Sequence, residues 1–92
     1  MMQSDLMEFN RKRSPHDIDY AFIEEHILTM HGKVVHVGKI ATSLKKEMNL
    51  YLEYHDERSL KVRISITLKR LYGNGKIKYF GKNNHYILYL VE

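Results

Sequence analysis

The chain has no cysteine and no tryptophan, one proline, and no long apolar run in its 92 residues. Without cysteine, neither a disulfide framework nor a thiolate metal site can form, which fits a reducing interior. No apolar stretch approaches the ~20 residues that cross a bilayer. The opening MMQSDLMEFNRKR also lacks the apolar core of a secretory signal. A cytoplasmic protein without a membrane segment is therefore expected. The length suits a single domain with one core, and a hydrophobic content of 43% with 28% charged residues is that of an ordinary globular chain.

Acid is the absence that matters most. From Arg58 to Lys82, RSLKVRISITLKRLYGNGKIKYFGK, there is no Asp or Glu. The same stretch holds Arg58, Lys61, Arg63, Lys69, Arg70, Lys76, Lys78 and Lys82. Residues 1–57 carry seven basic and ten acidic residues, so the formal net charge of +4 conceals a concentrated basic block. A block of this kind is the electrostatic footprint of a surface that meets a polyanion. A solvated lysine-rich face is the bland alternative.

The block has internal order. Leu60, Ile64, Leu68 and Leu71 recur at helical spacing, and Gly73 and Gly75 follow as a helix stop. Leu60, Val62, Ile64, Ile66 and Leu68 also alternate as a half-buried strand would. Leu71 extends the helical period, and Asp56 and Ser59 are plausible N-caps, so a helix is expected. It would leave Val62 and Ile66 outside, beside Ser65 and Lys69. Ile77 to Phe80 then reads as a strand, Gly81 to Asn84 as a turn, and His85 to Val91 as a second strand.

Upstream, residues 1–13 read as an arm and 14–92 as the domain. Ser14-Pro15-His16-Asp17 is a helix start, with Ser14 as cap and Pro15 at the first position. The helix is expected to reach Met30 or His31 and stop at Gly32. Tyr20, Ile23, Ile27 and Met30 form one stripe on it. Ile18, Phe22 and Leu28 form another, which suggests burial on two sides. Lys33 to Val37 is a short strand. Gly38 to about Leu50 is a second helix, with Gly38 as N-cap and Ile40, Ala41, Leu44 and Met48 on one face. Residues 49–57 join it to the basic helix.

This α+β order of helix, strand, helix, helix, strand, strand, ending in a hairpin with a lysine-bearing tip, resembles the winged-helix DNA-binding domains over residues 15–91. Within them it is most similar to the small stand-alone regulators of archaea and their viruses. The segment 49–57 departs from the family by its length. The resemblance implies a sequence-specific duplex-DNA-binding regulator. Lys61, Val62, Ser65, Ile66 and Lys69 would face the major groove, with Arg58, Arg63 and Arg70 at the flanks. Lys82, Asn83 and Asn84 would reach the adjacent minor groove or backbone, and Lys39 a further phosphate. A homodimer is expected through Leu6, Phe9, Ile18, Phe22 and Leu28.

Two other classes stay open. The basic block could bind an acidic partner protein, since a fold does not fix a function. Alternatively Tyr79, Phe80, Tyr86 and Tyr89 could stack the bases of RNA or single-stranded DNA, unless they are ordinary core. Catalytic signatures are missing. Six histidines offer no metalloprotease spacing, Gly73-Asn74-Gly75 follows a helix where a phosphate loop precedes one, and no serine sits in a nucleophile elbow. No enzyme activity, cofactor, metal or small-molecule substrate is expected.

Overall fold

The computed structural model describes residues 18–49 and 54–92. Within them lie three helices and a three-stranded antiparallel sheet. The arm, the Ser14-Pro15 start, and Leu6 and Phe9 lie outside the described residues.

Helix α1 spans Tyr20–Leu28. Its N-cap is Asp19, whose carboxylate accepts the Phe22 N–H at 2.8 Å. Ile18 thus precedes the helix instead of lying inside it. The C-terminal end comes two or three residues earlier than expected. There Thr29 is the C-cap, and its hydroxyl donates to the His26 carbonyl at 2.6 Å. Gly32, at φ 74°, then turns the chain, and its N–H donates to the Val91 carbonyl.

This shortening corrects the two-sided reading of the first helix. Ile18 is 0% exposed within its own chain's core. Phe22 and Leu28 are half-buried against the same core. Once the helix begins at Tyr20, Ile18 has no place on a helical wheel, and the second stripe dissolves. A dimer contact through Ile18 is therefore excluded by its burial.

Strand β1 is only Val34–Val35, shorter than expected. Helix α2 spans Val37–Glu47 and buries Ile40, Ala41 and Leu44. Its N-cap is His36, not Gly38: the His36 Nδ1 accepts the Lys39 N–H at 3.2 Å.

The basic stretch is helical. Helix α3 spans Tyr54–Gly73, so Asp56 and Ser59 lie inside it instead of capping it. Leu60, Ile64, Leu68 and Leu71 are all buried, with Thr67 between them. The helical period wins over the strand alternation because it aligns four large aliphatics against α1, α2 and the sheet. The hydroxyl of buried Thr67 donates back to the Arg63 carbonyl at 2.8 Å, so it is not left unsatisfied.

Gly75, at φ 77°, turns the chain into the hairpin of β2, Ile77–Lys82, and β3, Ile87–Val91. The sheet order is β1-β3-β2, which leaves β2 at an edge. Tyr79 pairs with Tyr89 but Gly81 with Leu88, so the register slips by one residue at Phe80. This bulge carries β2 to Lys82, two residues beyond the expected strand end. The turn moves accordingly to residues 83–86. Ile77, Tyr89 and Val91 close the core from the sheet side.

Truncation inside this core should be costly. Ile64→Ala or Leu68→Ala is expected to lose about 2–5 kcal/mol. Val62→Ala, on the opposite side, is expected to stay within about 0.5 kcal/mol of the parent. Urea unfolding midpoints check both, and equal losses at positions 62 and 64 would contradict the helical packing.

Candidate nucleic-acid interface

The face of α3 turned from the core presents Val62 and Ile66, which are 53% and 45% exposed. Exposed Arg58 and Lys69 and half-buried Lys61 and Ser65 lie around them. All six were expected at this surface. No acidic residue falls between Arg58 and Lys82. The nearest carboxylate on the helix is Glu57, which is engaged from two sides. Lys45 donates to it at 2.8 Å, and Lys61 lies 3.6 Å from its other oxygen. The Lys45 hydrogen bond, aided by the charges of Lys45 and Lys61, holds the Glu57 carboxyl below its ordinary range despite partial desolvation.

Two expected contact residues turn elsewhere. Arg63 and Arg70 are seven apart, two turns of helix, and share the flank facing α1. The Arg63 guanidinium donates to the Ile18 carbonyl at 3.0 Å. Arg70 lies 3.7 Å from Glu24 and over the Tyr20 ring at 5.6 Å. These arginines tie α3 to the first helix. Arg63 is thereby held by the backbone just ahead of α1, while Arg70 keeps about half of its side chain exposed beside Glu24.

The other flank of α3 meets the start of α2. Between them lies a cleft of about 590 Å³ lined by His36, Gly38, Lys39, Thr42, Lys46 and Lys61, among others. Lys39, Thr42 and Lys46 fall at i, i+3 and i+7 of α2, so one polar face of that helix supplies a wall of the cleft. Of these only Lys39 was singled out from the sequence. The helical spacing of Thr42 and Lys46 was the signal for the rest. The Lys39 ammonium donates to the Val34 carbonyl at 3.0 Å, which anchors it over β1.

The hairpin tip closes one end of this cleft. Asn83 Oδ1 accepts the N–H groups of His85 and Tyr86 at 2.9 and 2.7 Å, so its side chain shapes the turn instead of reaching outward. Lys82 is paired within β2 opposite Ile87, and both it and Asn84 are exposed. The Tyr86 ring stacks on His36 with centroids 4.2 Å apart. A Cβ at Gly38 would fall 2.7 Å from the Tyr86 hydroxyl. Glycine there lets this ring lie on the first turn of α2, a side chain would make the ring shift, and the cap itself is His36.

His36 therefore does three things: it caps α2, carries Tyr86, and lines the cleft. Burial, with help from the charge of Lys39, pushes its pKa below the ordinary histidine value.

A second constellation has the atom pattern of a hydrolytic triad. His26 Nε2 lies 2.9 Å from the Ser43 hydroxyl, and His26 Nδ1 lies 3.3 Å from Glu47. Ser43 sits in the middle of α2, where the backbone N–H groups around it already serve the helix. The buried imidazole joins α1 to α2 and satisfies its own polar atoms. Among the described residues, no group of three His, Asp or Glu side chains is arranged to hold a metal ion. No helix among them is long and apolar enough to cross a membrane.

No family model matches the chain, and no curated protein or solved structure is similar enough to lend it a fold or an activity.

The His36 cap gives a pH test. A histidine whose folded pKa lies below its unfolded value stabilises the fold above the unfolded pKa. That contribution is lost as pH falls through the folded pKa. Stability should therefore decline as pH drops below about 6.5, the ordinary histidine value. His36→Asn keeps a capping oxygen but cannot protonate, so part of the decline should vanish. Thermal melts of both proteins between neutral and mildly acidic pH check this, and identical pH profiles would remove His36 from the account.

Proposed function

We propose that this chain is a duplex-DNA-binding regulator with a winged-helix arrangement, α3 entering the major groove and the β2–β3 hairpin serving as the wing. The observation that carries the reading is the outer face of α3. Val62 and Ile66 stand exposed among Lys61, Ser65, Lys69 and Arg58 on a helix whose other side is fully committed to the core. Exposed branched aliphatics on a basic helix match what the major groove offers: thymine methyl groups beside phosphate rails. The groove, about 12 Å wide, admits one helix.

Roles divide by chemistry. Lys61, Lys69 and Arg58 neutralise phosphates and set affinity. Ser65, Val62 and Ile66 read base edges. Lys82 and Asn84 on the hairpin contact the neighbouring backbone. Lys46 and the first turn of α2 face a further phosphate across the cleft. One module of this size offers a small interface, so two copies on paired half-sites belong to the proposal.

Selection of bound sequences from a random duplex pool tests this directly. A recovered motif supports the reading, and weak, motif-free binding throughout contradicts it. On the selected site, Ser65→Ala and Ile66→Ala should alter base preference at a cost of about 1–3 kcal/mol. Lys82→Ala should weaken selected and random duplexes alike. Arg63→Ala should lower the folding stability by about 1.5–3 kcal/mol, the size of a charge-assisted hydrogen bond, and leave base preference unchanged. Competition binding and urea unfolding separate these outcomes.

A further inference from the structure

The duplex reading makes no use of the aromatic side chains on the hairpin. Tyr79 and Phe80 are 54% and 58% exposed, and Tyr72 at the end of α3 is 51% exposed. They are not scattered. Tyr79 is the register partner of buried Tyr89, and the Tyr72 ring lies 5.9 Å from the Tyr89 ring. Tyr72 and Tyr79 thus flank the Tyr89 position from α3 and β2, and Phe80 follows Tyr79 at the bulge. Burial of Tyr89, together with the nearness of Tyr72 and Tyr79, pushes its phenol above the ordinary range, which agrees with that clustering.

Cations accompany these rings. Lys69 lies one turn before Tyr72 on α3 and lines, with Ser65, Ile87 and Tyr89, a recess of about 220 Å³ between helix and hairpin. Lys76, Lys78 and Lys82 are exposed along the hairpin, and among the described residues only Lys78 of these has a carboxylate near it, Glu92 at 3.2 Å. Lysines on an edge strand also discourage strand pairing. Two adjacent bare rings have the opposite effect, because exposed apolar surface invites association. The rings and the lysines beside them fit an occupant with flat apolar faces and negative charge.

Unpaired nucleotides have both. Each base presents a π face, and each linkage presents a phosphate. A base-paired duplex keeps its faces stacked internally, so it cannot use these rings. We infer that Tyr79 and Phe80, continued by Tyr72, form a stacking platform for unpaired bases, so that the protein engages a single strand leaving the duplex held by α3. The inference rests on the duplex reading only for the location of that junction. Lys69 belongs to both surfaces and marks the path of the strand between them.

The test uses a blunt duplex, the same duplex bearing a single-stranded oligothymidine tail, and the tail alone. The tailed duplex should bind more tightly than the blunt one. Tyr79→Ala and Phe80→Ala should each lose about tenfold on tailed and single-stranded probes, the effect of one base–ring stack. Both should leave blunt-duplex binding unchanged, and Tyr79→Phe, which keeps the ring, should bind as the parent does. The chain has no tryptophan, so Phe80→Trp introduces a single indole whose fluorescence the tail should quench and the blunt duplex should not. A tail that adds nothing to binding, or alanine variants that bind it as the parent does, would overturn the platform while leaving duplex binding intact. Binding of the tail without any binding of the blunt duplex would sustain the platform and defeat the duplex reading.

Discussion

The burial of Leu60, Ile64, Leu68 and Leu71 along one side of α3 is the constraint on which the other features depend. It makes residues 54–73 a helix where local alternation would equally allow a strand. It also fixes what faces outward. With the aliphatic side held against α1, α2 and the sheet, Val62 and Ile66 have nowhere to go but solvent. The two flanks then take different partners. Arg63 and Arg70 find the Ile18 carbonyl and Glu24 on one side, while Lys61 and Ser65 look across towards α2 and the hairpin on the other.

That sorting explains why a basic block of eight residues is not a uniform basic surface. Two of its arginines serve the fold, and Lys61 shares Glu57 with Lys45. Lys69 and Arg58 stay exposed, as do the hairpin lysines. Affinity for a polyanion, on this account, comes from fewer cations than the sequence displays. The cleft between α2 and α3 adds Lys46 and the first turn of α2 to the surface proposed to meet phosphate, with His36 beneath Tyr86 at its edge.

What could be read from the sequence was whatever depends on spacing within one element. The faces Leu60-Ile64-Leu68-Leu71 and Ile40-Ala41-Leu44 are periodic, and both are buried as their period implies. The misreadings share a cause: each depended on a contact between distant parts of the chain. Ile18 fits a helical stripe by spacing, and only its packing into the core, ahead of the Asp19 cap, takes it out of α1. Gly38 looks like a weak cap until Tyr86 is found against it. Arg63 sits at the rim of a helical wheel, and which way it turns is decided by an acceptor 45 residues earlier. Phe80 is one residue too many for a regular hairpin, and a bulge accommodates it in a way no local pattern announces.

The central claim is that the outward side of α3 is the surface that meets nucleic acid. Amide chemical-shift mapping of the labelled protein during titration with duplex DNA addresses it most directly, residue by residue. The account predicts the largest shifts at residues 58–69 and at the hairpin tip around Lys82 to Tyr86, with Tyr20–Leu28 nearly silent. Shifts centred on α1, or spread evenly over the chain, would contradict it.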